Sequence, residues 1–290
     1  MARAFIILMG FILQGFSLSP AIIPIDKIIS GGPSKDGIPA LNTPRMVSAE
    51  LANTWLRDDD RVLGVVVGKQ ARAYPIRILN WHEIVNDRLA GQPLVVTWCP
   101  LCGSGMVFNS DDRFGVSGKL YQSDVLLYDH RTHTLWSQLL QKAVAGERAG
   151  ESLLRYPVVH TSWQDWFKAH PDTSVLSRHT GFARDYSRNP YAGYETTEAL
   201  YFNVQHHDNR LSNKAWVMGL EHEGQYRAWS FKAVKKVGEL HETWQGMDLI
   251  IRYDDSGERI QISRDGKVLH GISLYWFAWA AFHPETGLYR

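Results

Sequence analysis

The chain has 290 residues, enough to bury a substantial core as one large domain or two small ones. Apolar residues make up 44% and charged residues 21%, which excludes a disordered or fibrous chain and fits a soluble globular one. A formal net charge of +1 gives no reason to expect nucleic acid or an anionic membrane surface as a partner.

Residues 1–21 read as a secretory signal peptide. Arg3 is a short basic start, residues 4–16 are mostly apolar, and Ser19-Pro20-Ala21 offers small residues at the cleavage spacing. The run is short for a transmembrane helix and no later stretch reaches spanning length. The mature chain is therefore expected to be periplasmic or secreted, with no membrane span.

A domain is expected over 31–290, holding two related units at about 61–110 and about 216–265. Val62 and Val217, Gly64 and Gly219, Arg72 and Arg227, Ala73 and Ala228, Gly91 and Gly246, and Leu94 and Leu249 match at a spacing of 155 residues. Each unit opens with a hairpin pattern, "RVLGVVVG" with "QARAYPI" and "AWVMGLEHEG" with "QYRAWSF". "RILNWHEIVNDRL" predicts a short helix ended by Gly91. "PLVVTW" and "DLIIRY" predict strands, followed by "MVFNS" and "RIQIS".

Between the units, "RFGVSGKLYQSDVLLYDH" and "TLWSQ" have strand character. "TSWQDWFKAHP" predicts a helix with Thr161 or Ser162 as N-cap. "SRNPYAGYETTEALYF" is rich in turn residues, and the apolar tail "ISLYWFAWAAFHPETGLYR" fits either strand or helix. The fold expected from this pattern is α+β and β-rich. It would consist of two related β-hairpin–helix–β-hairpin halves forming one compact domain.

The recurrence acts as an internal control: residues present in one unit only are candidates for chemistry. At the same spacing Cys99 faces Asp254, Cys102 faces Gly257, His82 faces Val237 and Glu83 faces Gly238. "CPLCG" between two strands has the shape of a metal knuckle, whose tight turn aims both sulfurs at one point. Two glycines and a strand pattern follow it, unlike the helix that opens at a thioredoxin-type redox pair. A structural disulfide, a redox-active pair and two inert buried thiols stand beside the metal reading.

Cys99 and Cys102 are the only cysteines, so further ligands must be histidine or carboxylate. His82 is the leading third metal ligand, on the element just before the cysteine-bearing strand. Glu83 is a candidate ligand, general base or orienting group. Asp129, His130 and His133 in "LYDHRTHTLW" and His206 and His207 in "QHHDNR" are further candidates, the histidines being more simply solvated turn residues.

"GGPSKDGIPAL", "ARAYPIRILNWHEIVND", "WCPLCGSG", "FGVSGKLYQSDVLLYD", "LWSQ", "SRHTGFARDYSRNPYAGY" and "YWFAWAAFHPET" together closely resemble the DUF3179 family, from about residue 31 to the C-terminus. The family's activity is undetermined, and its members often look exported or membrane-anchored. The resemblance implies that Asn80, Trp81, His82, Glu83, Cys99, Cys102, Tyr128, Asp129, Trp136 to Gln138 and Arg184 to Tyr186 belong to the family's motif set. It implies that His130 and His133 do not.

The expected function is an exported metal-binding protein, an oxidoreductase if it is an enzyme at all, with copper or zinc as cofactor. Cys99, Cys102 and His82 are the expected metal ligands, and Glu83 and Asp129 the acid–base groups. Trp81, Tyr128, Trp136 and Arg184 are expected to wall a cleft for a small molecule or peptide. The alternatives are a thiol–disulfide redox protein and a non-catalytic ligand-binding module with a structural disulfide.

Overall fold

A computed structural model describes residues 20–290, so the leader expected at 1–21 lies almost wholly outside the described residues. A single 3-10 turn (Ile25–Lys27) precedes β1 (Ile29–Ser30), β2 (Met46–Ser48) and α1 (Ala49–Ala52). Next come β3 (Arg61–Val67), β4 (Gln70–Pro75), α2 (Ile76–His82), β5 (Ile84–Leu89), β6 (Gln92–Cys99) and β7 (Ser104–Asn109). The middle of the chain carries β8 (Phe114–Tyr121), β9 (Asp124–Asp129), β10 (Leu135–Ser137) and β11 (Lys142–Ala145). It continues with β12 (Leu154–Tyr156), β13 (Val159–Ser162), α3 (Trp163–Ala169) and β14 (Ser174–Leu176). A long irregular segment then leads to β15 (Trp216–His222), β16 (Gln225–Ser230), α4 (Phe231–Val237), β17 (Glu239–Trp244), β18 (Met247–Asp254) and β19 (Arg259–Arg264). The last elements are β20 (Lys267–Leu269), β21 (Ile272–Tyr275), α5 (Trp276–Phe282) and β22 (Gly287–Tyr289).

These strands form five sheets, ordered β1-β8-β9-β10-β11, β12-β7-β6-β5, β13-β3-β4-β14-β2, β21-β15-β16-β22 and β17-β18-β19-β20. They are the blades of a five-bladed β-propeller, 42% strand and only 13% helix. The expected α+β domain of two hairpin–helix–hairpin halves is therefore incorrect. The physical reason is that no helix exceeds two turns and each serves as a connector. α2 carries the chain from the β3–β4 sheet into the β5–β6–β7 sheet, so one run of elements is divided between two blades. The expected helix to Gly91 also stops early. Glu83 takes φ 57, a left-handed conformation that ends α2, and Ile84 starts β5. Ala90 and Gly91, with φ 49 and 82, instead make the two-residue β5–β6 turn, where both central residues need positive φ.

Elements β3 to β7 recur 155 residues later as β15 to β19, with the same lengths. A second recurrence, at 113 residues, relates β12, β13, α3 and β14 to β20, β21, α5 and β22. Side chains repeat with the elements. Trp166 packs flat on Gly64, where a Cβ would stand 2.2 Å from its ring, and Trp279 lies the same way on Gly219. Their indole nitrogens donate to Thr173 and Thr286. Arg72 pairs with Asp87 and Arg227 with Glu242, both at 2.6 Å, tying one blade to the next. The sheet built on β8 to β11 has no counterpart, and its insertion accounts for the change of spacing. The tail resolves as strand β21 followed by helix α5, and Ser162 caps α3 by accepting from Asp165 N. The largest apolar cluster runs through Phe108, Trp136, Tyr194, Trp276 and Trp279, and it contains both cysteines.

Candidate metal centre

β6 ends at Cys99 and β7 begins at Ser104, so Pro100 to Gly103 form a tight turn at the end of one blade. Cys102 N donates to Cys99 O, and Gly103 takes φ 64. This places the two sulfurs on the same side of the turn, 3.9 and 3.5 Å from the carbonyl oxygen of Ser123. Ser123 belongs to the blade without a counterpart. Gln122 and Ser123, with φ 54 and 64, make the β8–β9 turn, and Asp124 is the next residue. Cys99, Cys102 and Asp124 are unbridged, fully buried and offer donor atoms all within 4.8 Å of one another.

The Asp124 carboxylate is half satisfied. Oδ2 accepts from Leu139 N at 3.0 Å and from Ser137 Oγ at 3.2 Å. Oδ1 is buried with no hydrogen-bond partner. Burial, only partly offset by the Leu139 and Ser137 bonds and by weaker approaches of Val125 N and the Cys99 thiol, pushes the carboxyl up to about 7. Glu83 is a fourth buried acid beside this group. Burial raises it to about 7 against the bond from Tyr191 Oη at 3.3 Å, and the Asp124 charge adds to the rise. Burial also drives the Cys102 thiol well above its ordinary range, with Cys99, Asp124 and Glu83 all contributing. Tyr191 and Tyr194 come from the irregular segment and cover the pocket; both phenols are pushed up by burial and then by the neighbouring acids.

The backbone at Glu83 carries a further sign of function. Its counterpart Gly238 has φ 76 and makes the same two bonds, donating to Val234 O and accepting from Tyr253 N, as Glu83 does with Leu79 and Trp98. A glycine adopts that conformation freely, whereas a side chain there costs about 1–2 kcal/mol. The first run of elements bears that strain and keeps there a buried carboxylate whose charge is felt by Asp124 and Cys102.

The other expected site residues go elsewhere. The described residues contain one group of three potential donors this close, and His82 is not in it. The His82 ring is buried with both nitrogens engaged, Nδ1 with Pro39 O at 2.7 Å and Nε2 with Tyr186 Oη at 2.6 Å. A carbonyl can only accept, so neutral His82 carries its proton on Nδ1 and accepts at Nε2. Consecutive residues thus take different partners from the irregular segment, Glu83 meeting Tyr191 and His82 meeting Tyr186.

Asp129 stands at the other end of β9, roughly 17 Å from Asp124 at the usual rise per strand residue. Burial raises its pKa, but bonds from Trp136 Nε1 and Thr132, with Arg148 nearby, outweigh this and leave it below the ordinary value. It caps the β9–β10 turn. Trp136 packs edge-on against Phe114, and Tyr128 donates to Asp36 among Lys35, His130 and His133. Trp81 donates to Arg188 O and underlies the Arg184 guanidinium at 5.7 Å. Of the expected residues, the structure gathers Cys99, Cys102 and Glu83 into one pocket and adds Asp124. The available signal for Asp124 was a charged residue heading the apolar run "DVLLY", which is buried throughout.

No helix among the described residues is long and apolar enough to cross a membrane. Residues 35–269 match the model of a family described as a protein of unknown function (DUF3179). No curated protein and no solved structure matches the chain.

Proposed function

The chain belongs to the DUF3179 family, and for this member we propose a protein that binds one divalent transition-metal ion through Cys99, Cys102 and Asp124. The observation that carries the reading is the orphaned Asp124 Oδ1, fully buried beside two thiols. Buried acids without a positive partner stay protonated or lose stability; a divalent cation satisfies two thiolates and a carboxylate at once. Thiolates alone would suit copper or zinc, but a hard carboxylate donor favours zinc over cuprous ion.

Three protein ligands leave a fourth position for water or a small molecule, the pattern of catalytic rather than structural zinc. Glu83, poised near neutral pH beside the group, is the acid–base residue for whatever occupies that position. The leader-like residues 1–21 support an exported setting, where a bound metal would protect the thiols from oxidation.

The test is elemental analysis and zinc titration of the mature protein against Cys99→Ser and Asp124→Asn. The reading expects about one zinc per chain and a loss of affinity of at least about 100-fold in each variant. Retention of under about a tenth of an equivalent after reconstitution would refute it, as would unchanged affinity in Asp124→Asn. If the metal-free thiols instead cycle reversibly near the glutathione poise, the pair is a redox couple.

A further inference from the structure

A second site is lined by the loop whose Tyr186 bonds His82. The loop from Arg178 to Ser187, with Thr43, Arg45, Thr54, Trp55 and Arg77, lines a solvent-open cleft of about 960 Å³, in which Arg45, Arg178 and Arg184 are exposed. Four arginines line it, Arg45, Arg77, Arg178 and Arg184, against one carboxylate, Asp185. Only Arg77 is neutralised, by Asp60 at 2.9 Å, and its Nε is buried with no partner. Among the described residues Arg45, Arg178 and Arg184 form no ion pair and no side-chain hydrogen bond. Asp185 does not serve them, because its Oδ1 accepts from Ser187 N and Oγ.

Two of these arginines are held without being neutralised. Arg178 lies over Trp55 at 5.9 Å and Arg184 over Trp81 at 5.7 Å. Indole faces orient a guanidinium while leaving its N–H groups free to donate. The loop that carries them is pinned from below. Thr180 Oγ1 donates to Tyr186 Oη, Tyr186 to His82 Nε2, and His82 Nδ1 to Pro39 O. Phe182 packs on the His82 ring at 5.3 Å, although it remains 45% exposed. These three bonds, one of them buried and two part-buried, tie an otherwise exposed loop to the blade. This network gives His82 a use that the metal centre does not supply.

We propose that this cleft binds a small, multiply charged oxyanion, a phosphate ester or a polycarboxylate, gripped by Arg45, Arg178 and Arg184. Planar guanidinium forks match either group bidentately, and the volume is that of a small-molecule site rather than of one simple ion. Tyr186 and His82 act as positioning residues that hold the arginine loop in place. The site shares no ligand with the metal centre, so either can fail alone.

The experiment is isothermal titration of the full mature chain with pyrophosphate and, separately, citrate, at fixed ionic strength. Acetate serves as the monovalent control. Saturable binding of either probe at one site is expected, and the tighter of the two names the chemistry. Arg178→Gln and Arg184→Gln should each weaken it about tenfold, while exposed Arg88→Gln should not. Tyr186→Phe keeps the ring and should weaken binding with zinc content unchanged. No saturable binding by wild type up to about 10 mM of either probe would overturn the proposal. An equal loss in Arg88→Gln would also overturn it, since that marks non-specific charge attraction.

Discussion

Asp124→Asn should make the metal-free protein more stable at neutral and alkaline pH, although it deletes a charged residue from the core. The carboxyl titrates at about 7 in the fold against an ordinary value of 3.8. A group whose pKa is higher folded than unfolded keeps its proton in the native state after the unfolded chain has released it. Stability therefore falls as pH rises from about 4 to about 7 and is level above that. At 1.36 kcal/mol per pH unit, the loss attached to this residue is about 4 kcal/mol. Asparagine cannot ionise, and its oxygen can still accept from Leu139 N and Ser137 Oγ. Urea unfolding of metal-stripped, reduced protein between pH 4 and 8 is the assay. The variant should match wild type near pH 4 and exceed it by a few kcal/mol at pH 8. Zinc should reverse the order, because it binds the ionised wild-type site. Parallel pH profiles for the two proteins, or a less stable variant at pH 8, would show that the carboxylate is compensated without a metal.

Three further outcomes follow from the same geometry. At position 83, glycine should be more stable than alanine by about 1 kcal/mol in thermal melts, since φ 57 suits only the former; equal stability would remove the strain argument. Gly64→Ala and Gly219→Ala should each cost about 3 kcal/mol or more in denaturant unfolding, because the new methyl would overlap Trp166 or Trp279. His82→Gln should leave zinc at about one equivalent per folded chain, and a loss to near zero would return His82 to the ligand set.

The local elements were largely legible, because hairpins and two-turn connectors write their pattern into neighbouring residues. "RVLGVVVG" and "QARAYPI" became β3 and β4, and the spacing of 155 residues carried through β7 and β19 without a gap. Blade architecture was not legible, since periodicity says which face is apolar and not which sheet it meets. The second recurrence, Trp163-x-x-Trp166 to His170-Pro171-x-Thr173 against Trp276-x-x-Trp279 to His283-Pro284-x-Thr286, is invisible at the spacing of 155 because the inserted blade shifts its own spacing to 113. The site was half legible for the same reason. Cys99, Cys102 and Glu83 stand out as residues the second run lacks, whereas Asp124 arrives from the inserted blade, where no counterpart exists for comparison. His82 stands out in the same way, with Val237 at its place in the second run, yet its two ring nitrogens are engaged by Pro39 O and Tyr186 Oη. Asp129 shares a strand with Asp124, but the two stand at its opposite ends, five positions apart on extended chain.

The most direct measurement is X-ray absorption at the zinc edge of the reconstituted protein. Two sulfur neighbours at about 2.3 Å with oxygen at about 2.0 Å, and no outer-shell imidazole scattering, is the result expected for Cys99, Cys102 and Asp124. An imidazole signature, or a spectrum without sulfur in the inner shell, would contradict that assignment.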